Sequence, residues 1–251
     1  MMSALILIIL ILLLLFGSRR LPQMGSQLGR QARKPYRQAK WLWSWATGTE
    51  DESILAERDY GRECAREFIK QFQGKVSQRD QELVTTVGTK LAEAVEDRRL
   101  KFHFDLVASS AANAYALPGG FVFITQSLLE LCKQDRDAVA FFLGHEIAHV
   151  TCGHAKEHLT AKTLLNAVSA RLSGAGLLLR QMVTKGYSRT LEREADREGV
   201  RLTAAAGFDA RAALRALERL SRISPDNSGL AEYFSTHPSF IDRIKELEDL
   251  V

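Results

Sequence analysis

Three residues that can do chemistry together stand in the stretch Gly144-His145-Glu146-Ile147-Ala148-His149. Residues four apart share one face of a helix, so His145 and His149 can offer two imidazoles to one metal ion with Glu146 beside them. Two ligands and a general base at this spacing suit metal-assisted hydrolysis, in which the metal polarises a carbonyl and a water and the carboxylate takes the proton. The helix that must carry them is legible. Ala138-Val139-Ala140-Phe141-Phe142-Leu143 is apolar and free of proline, and Asp135 or Asp137 can serve its start as cap or first-turn acid. An apolar helix with two His and a Glu needs a reason for its polar groups. Satisfied core histidines are the alternative.

A catalytic zinc takes three protein ligands and keeps one position open. The metzincin spacing puts a His six residues after His149, but that position is Ala155. His154 is one residue short and rotates away on a continuing helix, so it reads as structural or as an outer partner. Cys152 reads as a packed thiol before a ligand. A later helix supplies another source. Ser188 caps the run Arg189–Gly199, in which Glu192 and Asp196 share a face. Glu192 can bind a metal while Asp196 accepts a hydrogen bond from the outer nitrogen of a ligand His. Glu194 points elsewhere and reads as solvated. Spacing alone also allows an exposed charged helix of Glu–Arg pairs.

Other elements position this site. Residues 52–73 and 78–97 have helical apolar spacing, with a break at Gly74. The period then changes. Phe102–Val107 alternates and reads as a strand, Leu117-Pro118-Gly119-Gly120 as a turn, and Phe121–Ile124 as another strand. A helix starts near Ser127 and leads to the metal helix. Phe121, Val122 and Phe123 are expected to bind substrate by edge pairing, which reads backbone rather than side chains. Residues 160–185 form a long amphipathic segment, too polar for a membrane span.

The first 16 residues are almost wholly apolar, at the short end of a bilayer span. No charge precedes them and no small-residue cleavage site follows, so an uncleaved anchor over 1–18 is expected rather than a signal peptide. Basic residues follow the span, which puts the body on the cytoplasmic side of the membrane; a periplasmic body is the alternative. Residues 17–49 hold seven Lys and Arg and no acid. Removing those seven from the net +4 leaves residues 50–251 at −3, so nucleic-acid binding by the body is not suggested. Residues 21–43 carry an apolar stripe opposite Arg30, Arg33, Lys34, Arg37 and Lys40, as in a helix lying on anionic headgroups, with Pro35 as a break. Residues 19–49 are thus a basic helix and linker, and 50–251 one domain. Three cysteines do not make a disulfide framework.

Two resemblances follow from these motifs. The short span, Phe16-Gly17-Ser18-Arg19-Arg20-Leu21-Pro22 and the basic helix with Gly25 and Gly29 resemble the TatA family of twin-arginine translocation proteins. That resemblance implies the same topology and, by analogy, self-association into a homo-oligomer. His145–His149 followed by Glu192-Arg193-Glu194-Ala195-Asp196 resembles the HtpX/BepA-type gluzincin metalloendopeptidases, relatives of the CAAX prenyl endopeptidase. Asn113–Gly120 and Ser235-Thr236-His237-Pro238, with Arg243 beyond it, extend the match. It implies an α+β, mostly helical, zincin-like domain with a small sheet beside the metal helix. It further implies one zinc ion on His145, His149 and Glu192, Glu146 as base, and a protein or peptide substrate. His237 is then an inhibitory fourth ligand or, with Arg243 and Tyr233, a candidate donor to the tetrahedral oxyanion. A membrane component with a non-catalytic interaction domain is the alternative.

Overall fold

The computed structural model describes Ser44 and residues 47–155, 186–223 and 229–251. The expected span, most of the basic stretch and residues 160–185 lie outside them. Among the described residues no helix is long and apolar enough to cross a membrane. Their architecture is mostly helical with one small sheet.

Helix α1 (Glu50–Ile69) begins at a reciprocal cap: the Thr49 hydroxyl accepts from the Glu52 backbone N–H, and the Glu52 carboxylate accepts from that of Thr49. Ser77 caps α2 (Gln78–Ala94) in the simpler one-sided way. Strands β1 (His103–Val107), β2 (Ala114–Leu117) and β3 (Phe121–Thr125) then form a sheet in the order β1-β3-β2. β1 runs parallel to β3 and β2 antiparallel to it. The β2–β3 turn places Gly119 and Gly120 at φ +75° and +82°, where a Cβ is strained, and a Cβ on Gly61 of α1 would overlap the Pro118 carbonyl.

This order corrects the edge-strand expectation for Phe121, Val122 and Phe123. β3 is central, and both its backbone edges are taken by neighbours. Every β3 side chain is buried, because α1 covers one face of the sheet and α2 and α4 the other. On one face Phe68 packs on Phe123 and Tyr115 at ring distances of 4.7 and 5.0 Å. The outer edge of β1 is occupied too: Gln81 of α2 donates to the Phe104 carbonyl at 3.0 Å and accepts from the Leu106 N–H at 2.8 Å. Among the described residues no strand pairs with the other edge of β2.

After α3 (Gln126–Leu131) comes α4 (Arg136–Thr151), capped by Asp135, whose carboxylate accepts from the Asp137 and Ala138 N–H groups. Every residue of α4 from Ala138 to Val150 is buried. It is the central helix, lying against β2 and α2 on one side and α5 (Arg189–Ala205) on the other. The two helices touch backbone to backbone. A Cβ on Gly199 would stand 2.9 Å from the His145 nitrogen, and one on Gly144 3.0 Å from the Gly199 carbonyl. Helices α6 (Ala212–Ser221), α7 (Ala231–Thr236) and α8 (Phe240–Leu247) close the far side of the core.

Candidate metal centre

Helical spacing puts His145 and His149 one turn apart, with their Nε2 atoms 3.1 Å from each other. The close α4–α5 crossing brings Glu192 to them: its two carboxylate oxygens stand 3.5 Å from His145 Nε2 and from His149 Nε2. His237, at the end of α7, completes a group of four whose ligand atoms all lie within 4.8 Å of one another. The donor chemistry fits a cation. Both Glu192 oxygens are buried with no hydrogen-bond partner among the described residues, and a buried carboxylate in that state is costly unless a positive charge sits against it. Two imidazole nitrogens and one carboxylate are an N/O donor set suited to zinc. Glu146 is buried beside the group, its Oε1 3.7 Å from His237 Nε2.

Each histidine of α4 has its own outer partner. His145 Nδ1 donates to Asp196 Oδ1 at 2.9 Å, which turns Nε2 toward Glu192. Asp196 is in turn held by Arg243 of α8, through Nε at 2.9 Å and Nη2 at 2.5 Å. Arg243 is only 2% exposed and also donates to the Tyr233 hydroxyl. Its Nη2 also lies 3.3 Å from His145 Nδ1, the nitrogen turned away from Glu192. Tyr233 stacks on His237 at 4.4 Å, and Thr236 Oγ1 lies 2.8 Å from His237 Nδ1.

His149 is partnered by His154, Nδ1 to Nδ1 at 3.0 Å. The helix does not continue to His154. It ends at Thr151, and Gly153 at φ +79° turns the chain so that His154 folds back, buried, against the outer side of the metal helix. Glu194, read as solvated, stands with its Oε2 3.5 Å from His154 Nε2. The ring of Tyr187, the residue before the α5 cap, lies flat on His149 at 4.0 Å. Tyr187 and the Gly144/Gly199 contact carry no chemical signal in the sequence. An aromatic directly before a helix cap is the one cue to the first.

These contacts polarise the site. Burial favours an ionised form for none of these groups, yet Arg243 and His145 hold the Asp196 carboxyl well below the usual carboxylate range. Burial and Arg243 act against a charged His145, but the Asp196 hydrogen bond and the Glu192 carboxylate 3.5 Å away outweigh them and hold it up at about 9. Burial, with His145, His237 and His154 nearby, pushes His149 far below its ordinary value. Against the opposing effect of burial, His237 and His145 keep Glu192 ionised.

The sequence model of peptidase family M48 matches residues 77–251, and that of the mttA/Hcf106 family matches residues 1–39. The mitochondrial metalloendopeptidase OMA1 of Schizosaccharomyces pombe is 34% identical over 158 residues, covering 60% of this chain and 47% of its own. The human metalloendopeptidase OMA1 is 34% identical over 166 residues, 58% of this chain and 32% of its own. The beta-barrel assembly-enhancing protease of Yersinia pestis is 30% identical over 177 residues, 62% of this chain and 35% of its own. The matched part of this chain thus spans less than half the length of each of these relatives.

Proposed function

The chain belongs to peptidase family M48, and on that premise we propose that it is a membrane-tethered zinc metalloendopeptidase acting on extended protein segments. The observation that carries this is the convergence of His145, His149 and the unpartnered Glu192 carboxylate, with Glu146 alongside.

In this reading His145, His149 and Glu192 hold one zinc ion. The bound metal supplies Lewis acidity to the scissile carbonyl and to water. Glu146 takes the proton of the attacking water and delivers it to the amine nitrogen as the C–N bond breaks. Asp196 holds His145 in the tautomer with Nε2 bare, and Arg243 keeps Asp196 ionised and in place. Arg243 is thus a positioning residue in this reading. His237, near both Glu146 and the ligand group, acts as a removable fourth ligand that closes the site. The substrate strand pairs with the edge of β2, the strand that packs on α4. Asn113, at the head of that strand, is buried and keeps its Nδ2 without a partner among the described residues.

Edge pairing reads backbone, so unfolded or extended segments are the favoured substrates. Protein quality control at a membrane is the role carried over from relatives whose names include an assembly-enhancing protease. The apolar run at 1–16 followed by seven basic residues supports an anchor with the domain on the cytoplasmic face and contact with anionic lipid.

Glu146→Gln tests the reading. It is expected to retain one equivalent of zinc while casein cleavage falls by about 10²-fold or more. Cleavage at the unsubstituted rate would end the proposal.

A further inference from the structure

Outside the metal group, one other cluster among the described residues brings together three different ligand types. The sulfur of Cys152, a ring nitrogen of His154 and a carboxylate oxygen of Glu194 lie within 4.8 Å of one another. A tetrahedral zinc with bonds of about 2.0–2.3 Å holds its ligand atoms about 3.3–3.8 Å apart, so closing the cluster needs small side-chain adjustments only. Glu194 is 56% exposed and free to make them. His154 is fixed, being buried and held by His149. Cys152, half-buried at the end of α4, is reachable from solvent. Thiolate, imidazole and carboxylate together suit zinc and other thiophilic divalent ions. Burial, with Glu194 and Glu198 adding negative charge, raises the Cys152 thiol above its ordinary value. That same negative field favours a cation.

We propose that Cys152, His154 and Glu194 form a second divalent-cation site whose filling opposes metal binding at His145, His149 and Glu192. The coupling follows from tautomers. To offer a bare Nε2 to the first metal, His149 carries its proton on Nδ1 and donates it to His154 Nδ1, 3.0 Å away. His154 then carries its own proton on Nε2, the nitrogen that faces Glu194. A cation taken up at that Nε2 displaces the proton, and a neutral His154 must carry its hydrogen on Nδ1. Two N–H groups cannot face each other at that distance. His149 must therefore shift its proton to Nε2 and withdraw its lone pair from the first metal. Excess metal thus inhibits the enzyme from outside the catalytic pocket.

The test is a cobalt(II) titration of the full chain. The first site has no sulfur ligand, so a thiolate-to-cobalt charge-transfer band reports the second site alone and needs no peptidase activity. The unsubstituted chain is expected to develop this band beyond the first equivalent. Cys152→Ser should lack it, and Glu194→Gln, at an exposed position, should need more cobalt to reach it. Assayed with zinc, the unsubstituted enzyme should be inhibited by excess metal, and Cys152→Ser should keep its basal rate and lose that inhibition. A band that never appears, or that persists in Cys152→Ser and so arises from Cys64 or Cys132, overturns the proposal. Inhibition by excess zinc that is unchanged in Cys152→Ser overturns the coupling. If no peptidase activity is found at all, the proposed function fails while the band still decides this site.

Discussion

Asp196 and His145 share a hydrogen bond of 2.9 Å on the side of the imidazole facing away from Glu192. It sets which nitrogen is bare, and Arg243 locks it by binding both carboxylate oxygens. The functional end of α4 is thereby tied to α5 and α8, which lie 51 and 98 residues along the chain at the contacts.

Asp196→Asn tests the link. The amide can still touch His145 but no longer favours the Nδ1–H tautomer, and Arg243 is left buried without its carboxylate. Zinc affinity is expected to fall about 10–100-fold, the usual loss for an outer-shell partner, read by competition with a chromophoric chelator. Arg243→Met removes the cation and leaves Asp196 buried and ionised, which costs on the order of 3–5 kcal/mol of stability; urea unfolding measures it. Unchanged zinc affinity in Asp196→Asn would show that the hydrogen bond has no part in holding the metal.

Gly199→Ala probes how close α4 and α5 must come. The added Cβ would meet the His145 nitrogen at 2.9 Å, where only backbone can give way. The helices must part by a few tenths of an ångström, and Glu192 moves off the two imidazoles with α5. Overpacking of this kind costs about 1–3 kcal/mol, and zinc affinity should fall with it. Gly207→Ala is the control for backbone effects in the same region, since its Cβ meets only the end of Lys90 at 3.6 Å, although its φ of +74° carries its own strain. A folded Gly199→Ala with full zinc affinity would show that the site tolerates a wider crossing.

Much of this was legible in the sequence because the signals are local. Asp135 and Ser188 cap the helices that follow them, and i, i+4 spacing placed His145 with His149 and Glu192 with Asp196. What escaped depends on long-range geometry. Ala114–Leu117, buried at all four positions, has no alternation to show a strand, and only the resemblance of Asn113–Gly120 points to one. Phe121–Thr125 read as a strand, but an apolar run does not say which neighbours it has, and its central place emptied the edge-pairing role. Sequence spacing alone puts His154 on a continuing helix, rotated away from the ligands. Gly153 ends that helix and returns the ring to His149.

His237 separates a gate from a catalytic donor. Its ring is one of the four groups that could hold a metal ion and stands 3.7 Å from Glu146, held by Tyr233 and Thr236. As a gate, it must leave before a substrate carbonyl enters. His237→Ala is then expected to raise basal cleavage of an unfolded substrate several-fold and weaken zinc binding slightly. Lost cleavage with unchanged zinc affinity would make His237 a donor to the transition state instead.

The pH dependence of metal binding follows from the two α4 histidines being held in opposite directions. Without metal, His145 stays protonated up to about 9, while His149 is neutral throughout the neutral range. Metal uptake must therefore expel one proton, from His145, at any pH below about 9. The apparent affinity should rise about tenfold per pH unit through that range and flatten above it. The metal-free fold shows the reverse trend. A His whose folded pKa lies above its unfolded value of about 6.5 contributes stability that is full below that value and lost as pH rises through about 9. The stabilisation conferred by metal therefore grows from pH 6.5 to 9 as its affinity rises, and this offsets the loss in the metal-free fold. Calorimetric zinc titrations in buffers of different ionisation enthalpy should return close to one proton released per metal near pH 7.5, a figure of about one that follows from the linkage. Release near zero would mean that both imidazoles are already bare, and that Asp196 does not hold His145 charged before the metal arrives.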